Sequence, residues 1–241
     1  MPDDVAGRKC VLNQLGNDHF ARDEIRHGDE GDPDDVIGIV DHGLGNRRNV
    51  QKAFERVGVE AVISADHDTL RAADGLVVPG VGAFAAGMAG LRDRGLDELV
   101  IERAGEGTPV VGLCVGLQLL FDSSTELGGD TGLGLLAGPV ERLDAPGMKI
   151  PHIGWNVVTF TRPSPLTEGL GERAAFYHVH SFAPRPEDDD IVLGRGDYGG
   201  PFVSVVERHP VYGAQFHPEK SSSAGLRLLA NFARICASVR A

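Results

Sequence analysis

The sequence predicts a single doubly wound α/β domain, and three observations carry that prediction. Short, wholly apolar runs such as VIGIV at 36–40 and PVVGL at 109–113 read as strands buried on both faces. Segments with helical apolar spacing alternate with them, as at Val50, Ala53, Phe54 and Val57. A chain of 241 residues, 41 % of them hydrophobic, is long enough for one large α/β core.

Taken in order, residues 1–35 stand apart. They hold 10 acidic and 4 basic residues, sustain no helical or strand period, and include the solvated run DEGDPDD at 29–35. The expectation is a disordered extension, with the folded domain spanning 36–241. Cys10, His19 and His27 fall in the extension and are given no ligand role. The strand at 36–40 leads through the turn DHGLGN at 41–46 into a helix that Gly58 stops. Further strands are expected at 59–64 and 75–79, and the second leads into the loop Gly80–Val81–Gly82. Residues 83–104 read as helical with a break near Gly95. The strand at 109–113 runs through Cys114 into a helix that starts near Gly116. From about 132 to 207, short apolar runs at 157–160, 191–193 and 202–206 are broken by Gly and Pro, which suggests a partly antiparallel region. A strand at 211–215 and a closing helix at 221–239 complete the chain. On that helix Leu226, Leu229, Phe232, Ala233 and Cys236 share one face, so Cys236 is expected in the core.

Charge and cysteine content exclude several function classes. With 23 Lys+Arg against 35 Asp+Glu, the net charge of −12 argues against nucleic acid or an anionic membrane as a main partner. No run is long and apolar enough for a transmembrane helix, and the N-terminus has no secretory pattern. Three widely spaced cysteines, with no C-x-x-C, suggest neither a zinc site nor a disulfide framework and place the chain in the cytoplasm. The acid excess, with only 4 Lys, matches a surface adapted to strong salt. GC-rich coding, which favours Arg over Lys, gives the same bias.

Three strand ends carry candidate chemistry. Gly112-Leu113-Cys114-Val115-Gly116 has the form of a nucleophile elbow with Cys for Ser, its glycines permitting the tight strand-to-helix turn. A helix N-terminus beside the thiol favours thiolate. Read alone, the motif fits a buried Cys with packing glycines equally well. Gln215-Phe216-His217-Pro218-Glu219-Lys220 follows another strand. A thiol nucleophile needs a base, and the base needs an orienting carboxylate; His217 and Glu219 supply that pair. Pro79-Gly80-Val81-Gly82 frees backbone N–H groups to act as oxyanion donors. The two glycines around Val81 suggest a peptide free to rotate, so a β-branched residue at Gly80 is expected to impair activation more than folding. That loop fits neither the dinucleotide nor the P-loop pattern.

Together GLCVGLQLLF and QFHPEKS resemble the class I (triad) glutamine amidotransferases. DHGLGN at 41–46, PGVGAF at 79–84, KIPHIGWN at 149–156 and HVHSF at 178–182 resemble, within that family, the branch serving imidazole glycerol phosphate synthesis in histidine biosynthesis. Relatives serving GMP, anthranilate, carbamoyl phosphate or pyridoxal phosphate synthesis lack the GWN and HxHS set. The match runs from about Val36 to the C-terminus.

The resemblance implies a single mixed-sheet domain that hydrolyses L-glutamine to glutamate and ammonia without metal or organic cofactor. It makes Cys114 the nucleophile, His217 the base and acid, and Glu219 the orienting carboxylate. Val81 and Val115 would supply the oxyanion N–H groups, and Gly82, Gln118, Glu126, Ser181 and Phe182 would hold the substrate. It also implies a separate (β/α)8 cyclase subunit that takes the ammonia and makes imidazole glycerol phosphate and AICAR ribonucleotide; Asn46, Trp155 and Lys220 are the candidate contacts. Two positions depart from the family pattern: His42 stands where Tyr is usual and Arg47 where an aliphatic residue is usual, both in a turn expected to face the partner. His152, His178 and His180 are expected to pack or hydrogen-bond, with no catalytic role. Another class I amidotransferase, a γ-glutamyl hydrolase-like Cys hydrolase, and a non-catalytic subunit are the competing readings; the intact Cys114, His217 and Glu219 set speaks against the last. Deletion of residues 1–35 should leave the melting temperature and the activity essentially unchanged, because the segment offers no apolar face to bury; calorimetry of the truncated chain checks this, and a large drop would show that the segment packs on the domain.

Overall fold

The computed structural model describes residues 36–240; the acidic extension, with Cys10, His19 and His27, lies outside the described residues. The chain starts β1 (Val36–Val40), α1 (Arg47–Arg56), β2 (Glu60–Ser64), α2 (His67–Ala72), β3 (Gly75–Gly80), α3 (Phe84–Arg92) and α4 (Leu96–Gly105). It continues through β4 (Val110–Cys114), α5 (Val115–Leu119), β5 (Phe121–Ser124), β6 (Asp130–Thr131) and β7 (Leu136–Arg142). Then come β8 (His152–Phe160), β9 (Arg173–His180), β10 (Phe182–Pro184), β11 (Val192–Asp197), β12 (Pro201–Arg208), β13 (Val211–Ala214) and the long α6 (Ser222–Arg240).

Nine strands form one mixed sheet in the order β2-β1-β3-β4-β13-β12-β11-β8-β9. The first five are parallel, and β12, β11, β8 and β9 continue antiparallel. The region from 132 to 207 is thus partly antiparallel, as its broken runs suggest. A second, four-stranded sheet, β10-β7-β5-β6, is an addition that its short and interrupted strands do not announce. Among the described residues, no helix is long and apolar enough to cross a membrane.

Alternation along the buried strands sorts side chains to two faces. Val77, Val111 and Leu113 join α1 and α6 in one apolar cluster, with Phe54, Leu229, Phe232 and Cys236. Leu76, Val78 and Val110 face α3, α4 and α5, with Phe84, Met88, Leu99 and Leu117. Cys236 is 1 % exposed, on the core face predicted for it. Gly95, at φ 62, separates α3 from α4 where the helical period breaks.

One close approach decides where the site forms. A Cβ on Gly116 would stand 1.8 Å from the Val78 carbonyl oxygen, so α5 starts in backbone contact with β3. Gly116→Ala should therefore destabilise the domain by about 3 kcal/mol, or roughly 6–12 °C in Tm for a domain of this size. Gly105→Ala, at an exposed helix position where a Cβ meets nothing within 4 Å, should stabilise it by about 0.5–1 kcal/mol. Thermal melts of the two variants check the contrast, which vanishes if glycine content alone matters.

Candidate active site

Cys114 ends β4 with φ 56 and ψ −112, a left-handed conformation that costs a non-glycine residue about 1–3 kcal/mol. The strain lifts the side chain clear of the sheet, and α5 begins at the next residue with Val115. The elbow glycines serve a different purpose from the turn conformation expected of them. Neither has a positive φ; a Cβ on Gly112 would stand 2.5 Å from the Gly116 carbonyl oxygen, so both admit backbone against backbone. Gly80 behaves likewise, since its Cβ would stand 2.5 Å from Gly116 N. The expectation that a β-branched residue at Gly80 spares folding is thereby corrected: it would wedge β3 off the elbow. The conformationally free glycine of the loop is Gly82, at φ 97 with nothing within 4 Å of a built Cβ.

The neighbouring strand β13 delivers His217 to the same strand-end crevice. Its backbone is clamped at both ends: its N–H donates to the Tyr177 carbonyl at 3.0 Å, and its carbonyl accepts from Ser221 Oγ at 2.6 Å. Ser221 Oγ in turn accepts the Tyr177 N–H at 3.0 Å. His217 Nδ1 donates to Glu219 Oε1 at 3.1 Å, and the Glu219 side chain is only 2 % exposed. The other carboxylate oxygen, Oε2, is buried without a hydrogen-bond partner among the described residues. Burial pushes the His217 imidazole towards the neutral form, but its hydrogen bonds to Cys114 and Glu219 and their charges outweigh this and hold its pKa up at about 9. Beneath it, Phe216 stacks on Phe176 with ring centroids 3.8 Å apart. Cys114 Sγ has two further neighbours, the Val179 carbonyl at 3.7 Å and Gln215 Nε2 at 4.0 Å.

A cavity of about 290 Å³ opens over the thiol. Val81, Gly82, Cys114, Val115, Gln118, Glu126, Ser181, Phe182, His217 and Lys220, all singled out in the sequence, line it together. Glu219 sits behind His217. Gln118 Nε2 donates to the Phe182 carbonyl at 3.0 Å and to Gln215 Oε1 at 3.1 Å, which leaves Oε1 as the acceptor of that amide. Glu126 Oε2 accepts the Phe84 N–H at 2.7 Å, capping the start of α3 at the cavity wall. Trp155 and Asn46 are outside the lining: Trp155 alternates with Ile153 and Val157 as an exposed apolar stripe on β8, and Asn46 precedes α1. Lys220, expected at the partner surface, stands at the cavity mouth.

Three histidines pack at the cavity wall and behind it, and two of them, His152 and His180, are hydrogen-bonded to each other. His180 Nδ1 donates to the Phe182 carbonyl at 2.9 Å, so its Nε2 accepts from His152 Nδ1 at 3.0 Å. His178 Nδ1 donates to the Phe176 carbonyl and its Nε2 meets Ser204 Oγ at 2.9 Å. Burial lowers all three pKa values, that of His180 to about 4, so they remain neutral scaffolding. Gln215 and Ser221 are contributors that sequence reasoning missed, although both lie within or beside QFHPEKS. His42 is displaced from its expected place: it is 1 % exposed, with Nε2 donating to the Pro79 carbonyl at 2.6 Å, and cannot face a partner. Arg47 is ion-paired with Asp41 in the same turn.

The chain resembles known proteins over most of its length. The glutamine amidotransferase class-I family matches residues 38–236. The imidazole glycerol phosphate synthase subunit HisH of Moorella thermoacetica is 46 % identical over 199 residues, covering 83 % of this chain and 94 % of that protein. The subunit of the same name from Aquifex aeolicus is 48 % identical over 197 residues, covering 81 % and 95 %. A crystal structure of a glutamine amidotransferase shares the fold, with a TM-score of 0.67 at 24 % identity over 83 % of this chain and 98 % of that one. The chain belongs to the class-I glutamine amidotransferase family. Within that family it is a glutaminase subunit of the imidazole glycerol phosphate synthase type, a component of histidine biosynthesis.

Proposed function

We propose that Cys114, His217 and Glu219 form the catalytic triad that hydrolyses L-glutamine, with the backbone N–H groups of Val81 and Val115 as oxyanion donors. One observation carries this reading: a strained elbow thiol and a histidine held protonated against a buried carboxylate meet in one cavity. The thiolate adds to the carboxamide carbon and the carbonyl electron pair moves to oxygen, facing the two N–H donors. As the intermediate collapses, the C–N bond breaks and His217 passes its proton to nitrogen, releasing ammonia. Neutral His217 then takes a proton from water while hydroxide adds to the γ-glutamyl thioester. Collapse breaks the C–S bond, restores the thiolate–imidazolium pair and releases glutamate. In this reading Gln118, Glu126, Gly82, Ser181 and Phe182 hold the polar groups of glutamine.

The ammonia passes to a (β/α)8 cyclase subunit in the cytoplasm, which joins it to N′-(5-phosphoribulosyl)formimino-AICAR ribonucleotide. The relatives' name as synthase subunits supports a complex of this kind. The half-exposed Trp155, with Ile153 and Val157 beside it, Lys220 at the cavity mouth and Asn46 at the start of α1 are the proposed contacts. Cys114→Ala should abolish glutamine-dependent synthesis by the complex, by more than about a hundredfold, and leave ammonia-dependent synthesis intact. Retained glutamine turnover, measured as glutamate release, would sink the triad.

A further inference from the structure

We infer that His42 is a positioning residue for the oxyanion loop, fixing the Pro79–Gly80 peptide that leads into Val81. The inference rests on the reading above, in which the Val81 N–H serves the reaction. Its basis is an unusual gap in the sheet. β1 pairs with β3 only as far as Ile39 and Val77, and then turns away at Asp41. Along β3, Leu76 sends its N–H towards the β4 side, to the Pro109 carbonyl. Alternation therefore points the carbonyls of Val77 and Pro79 towards β1. Pro79 has no N–H to leave unpaired, and its carbonyl, beyond the end of β1, has lost its strand partner.

His42 fills that place. Its Nε2 lies 2.6 Å from the Pro79 oxygen, and because a carbonyl only accepts, Nε2 carries the proton. Nδ1 is then the bare nitrogen, and it is buried without a partner among the described residues. Burial and the charge of Arg94 outweigh the bond to Pro79 and lower the imidazole pKa, consistent with a neutral ring that has one donor to give. The backbone around it is held as firmly. Arg94 Nη1 donates to the His42 carbonyl at 3.3 Å and to the Gly90 carbonyl at 3.0 Å, and a Cβ at Gly90 would stand 2.2 Å from the His42 oxygen. The start of the loop is thus pinned by a side chain two peptides before the positive-φ Gly82, while Gly80 is pinned on its other side by the elbow.

A donor misplaced by a fraction of an ångström loses most of its effect on an oxyanion, whereas substrate binding through the side-chain contacts persists. In the complex with its cyclase, His42→Phe should lower kcat for glutamine hydrolysis at least about tenfold with little change in KM. The alkylation rate of Cys114 by iodoacetamide and ammonia-dependent synthesis should stay near wild type, because neither uses the oxyanion loop. His42→Gln places an amide N–H at the same number of bonds from Cα and should restore kcat to within about threefold. Should the phenylalanine variant misfold, His42→Asn, whose amide falls one carbon short of Pro79, takes its place in the comparison. Wild-type kcat in the donor-less variant, or equal losses in it and in His42→Gln, would overturn the inference. Cys114→Ala run beside them separates the two levels: if it still turns over glutamine, the triad reading fails. If it is dead while His42→Phe is fully active, only the role of His42 fails.

Discussion

The hydrogen bond between His217 and the buried carboxylate of Glu219 is the constraint on which the rest of the site depends. A carboxylate with 2 % exposure and one oxygen unpartnered is costly unless a cation faces it. The imidazolium is that cation, and with Cys114 on its other side the proton is retained to about pH 9. Because the folded-state pKa is raised above 6.5, the stability contributed by the pair is full below about pH 6.5 and is lost as pH rises through about 9. Strain at Cys114, burial of Glu219 and the double clamp on the His217 backbone all serve to keep three groups in register.

The sheet explains why they meet. β3, β4 and β13 are adjacent and parallel, so the loop after Pro79, the elbow at Cys114 and the segment leading to His217 all leave the same edge. The antiparallel strands add a wall: β9 supplies the Tyr177 carbonyl that receives the His217 N–H, and the short link from β9 to β10 brings Ser181 and Phe182 over the thiol. The neutral pair His152 and His180 ties β8 and β9 to the Phe182 carbonyl, which also receives the Gln118 amide. A single carbonyl thereby joins the candidate substrate wall to the buried face of β8, opposite the face that carries Trp155.

Much of this was legible in the sequence because apolar runs and strand-end motifs report directly on a parallel sheet. β1, β3, β4 and β13 fall within a residue of VIGIV, GLVVP, PVVGL and the run before QFHPEK, and the strand-end residues singled out there line one cavity, with Glu219 bonded to His217. What escaped has physical reasons. α2 buries only Leu70, so it has no apolar stripe to read, and its start is set instead by the Asp66 side chain accepting the Thr69 N–H. β5 and β6 are too short to show alternation. The elbow glycines look like turn residues in one dimension, whereas Gly112 answers to the backbone of the first turn of α5 and Gly116 to that of β3, far back along the chain. His42 was misplaced for a related reason: a polar residue in a turn reads as exposed, and only the early end of β1 leaves a carbonyl for it to satisfy.

The protonation state of His217 tests the central claim most directly. Histidine-selective NMR of the wild-type chain, titrated from pH 5 to 10, should show one buried imidazole that keeps its proton to about pH 9, absent from His217→Asn. In Cys114→Ala the same resonance should titrate at a lower pH, because a hydrogen-bond partner and its charge are gone. A His217 that titrates near 6.5 in both proteins would contradict the account, leaving a buried carboxylate with no cation to balance it and a thiol with no charged partner.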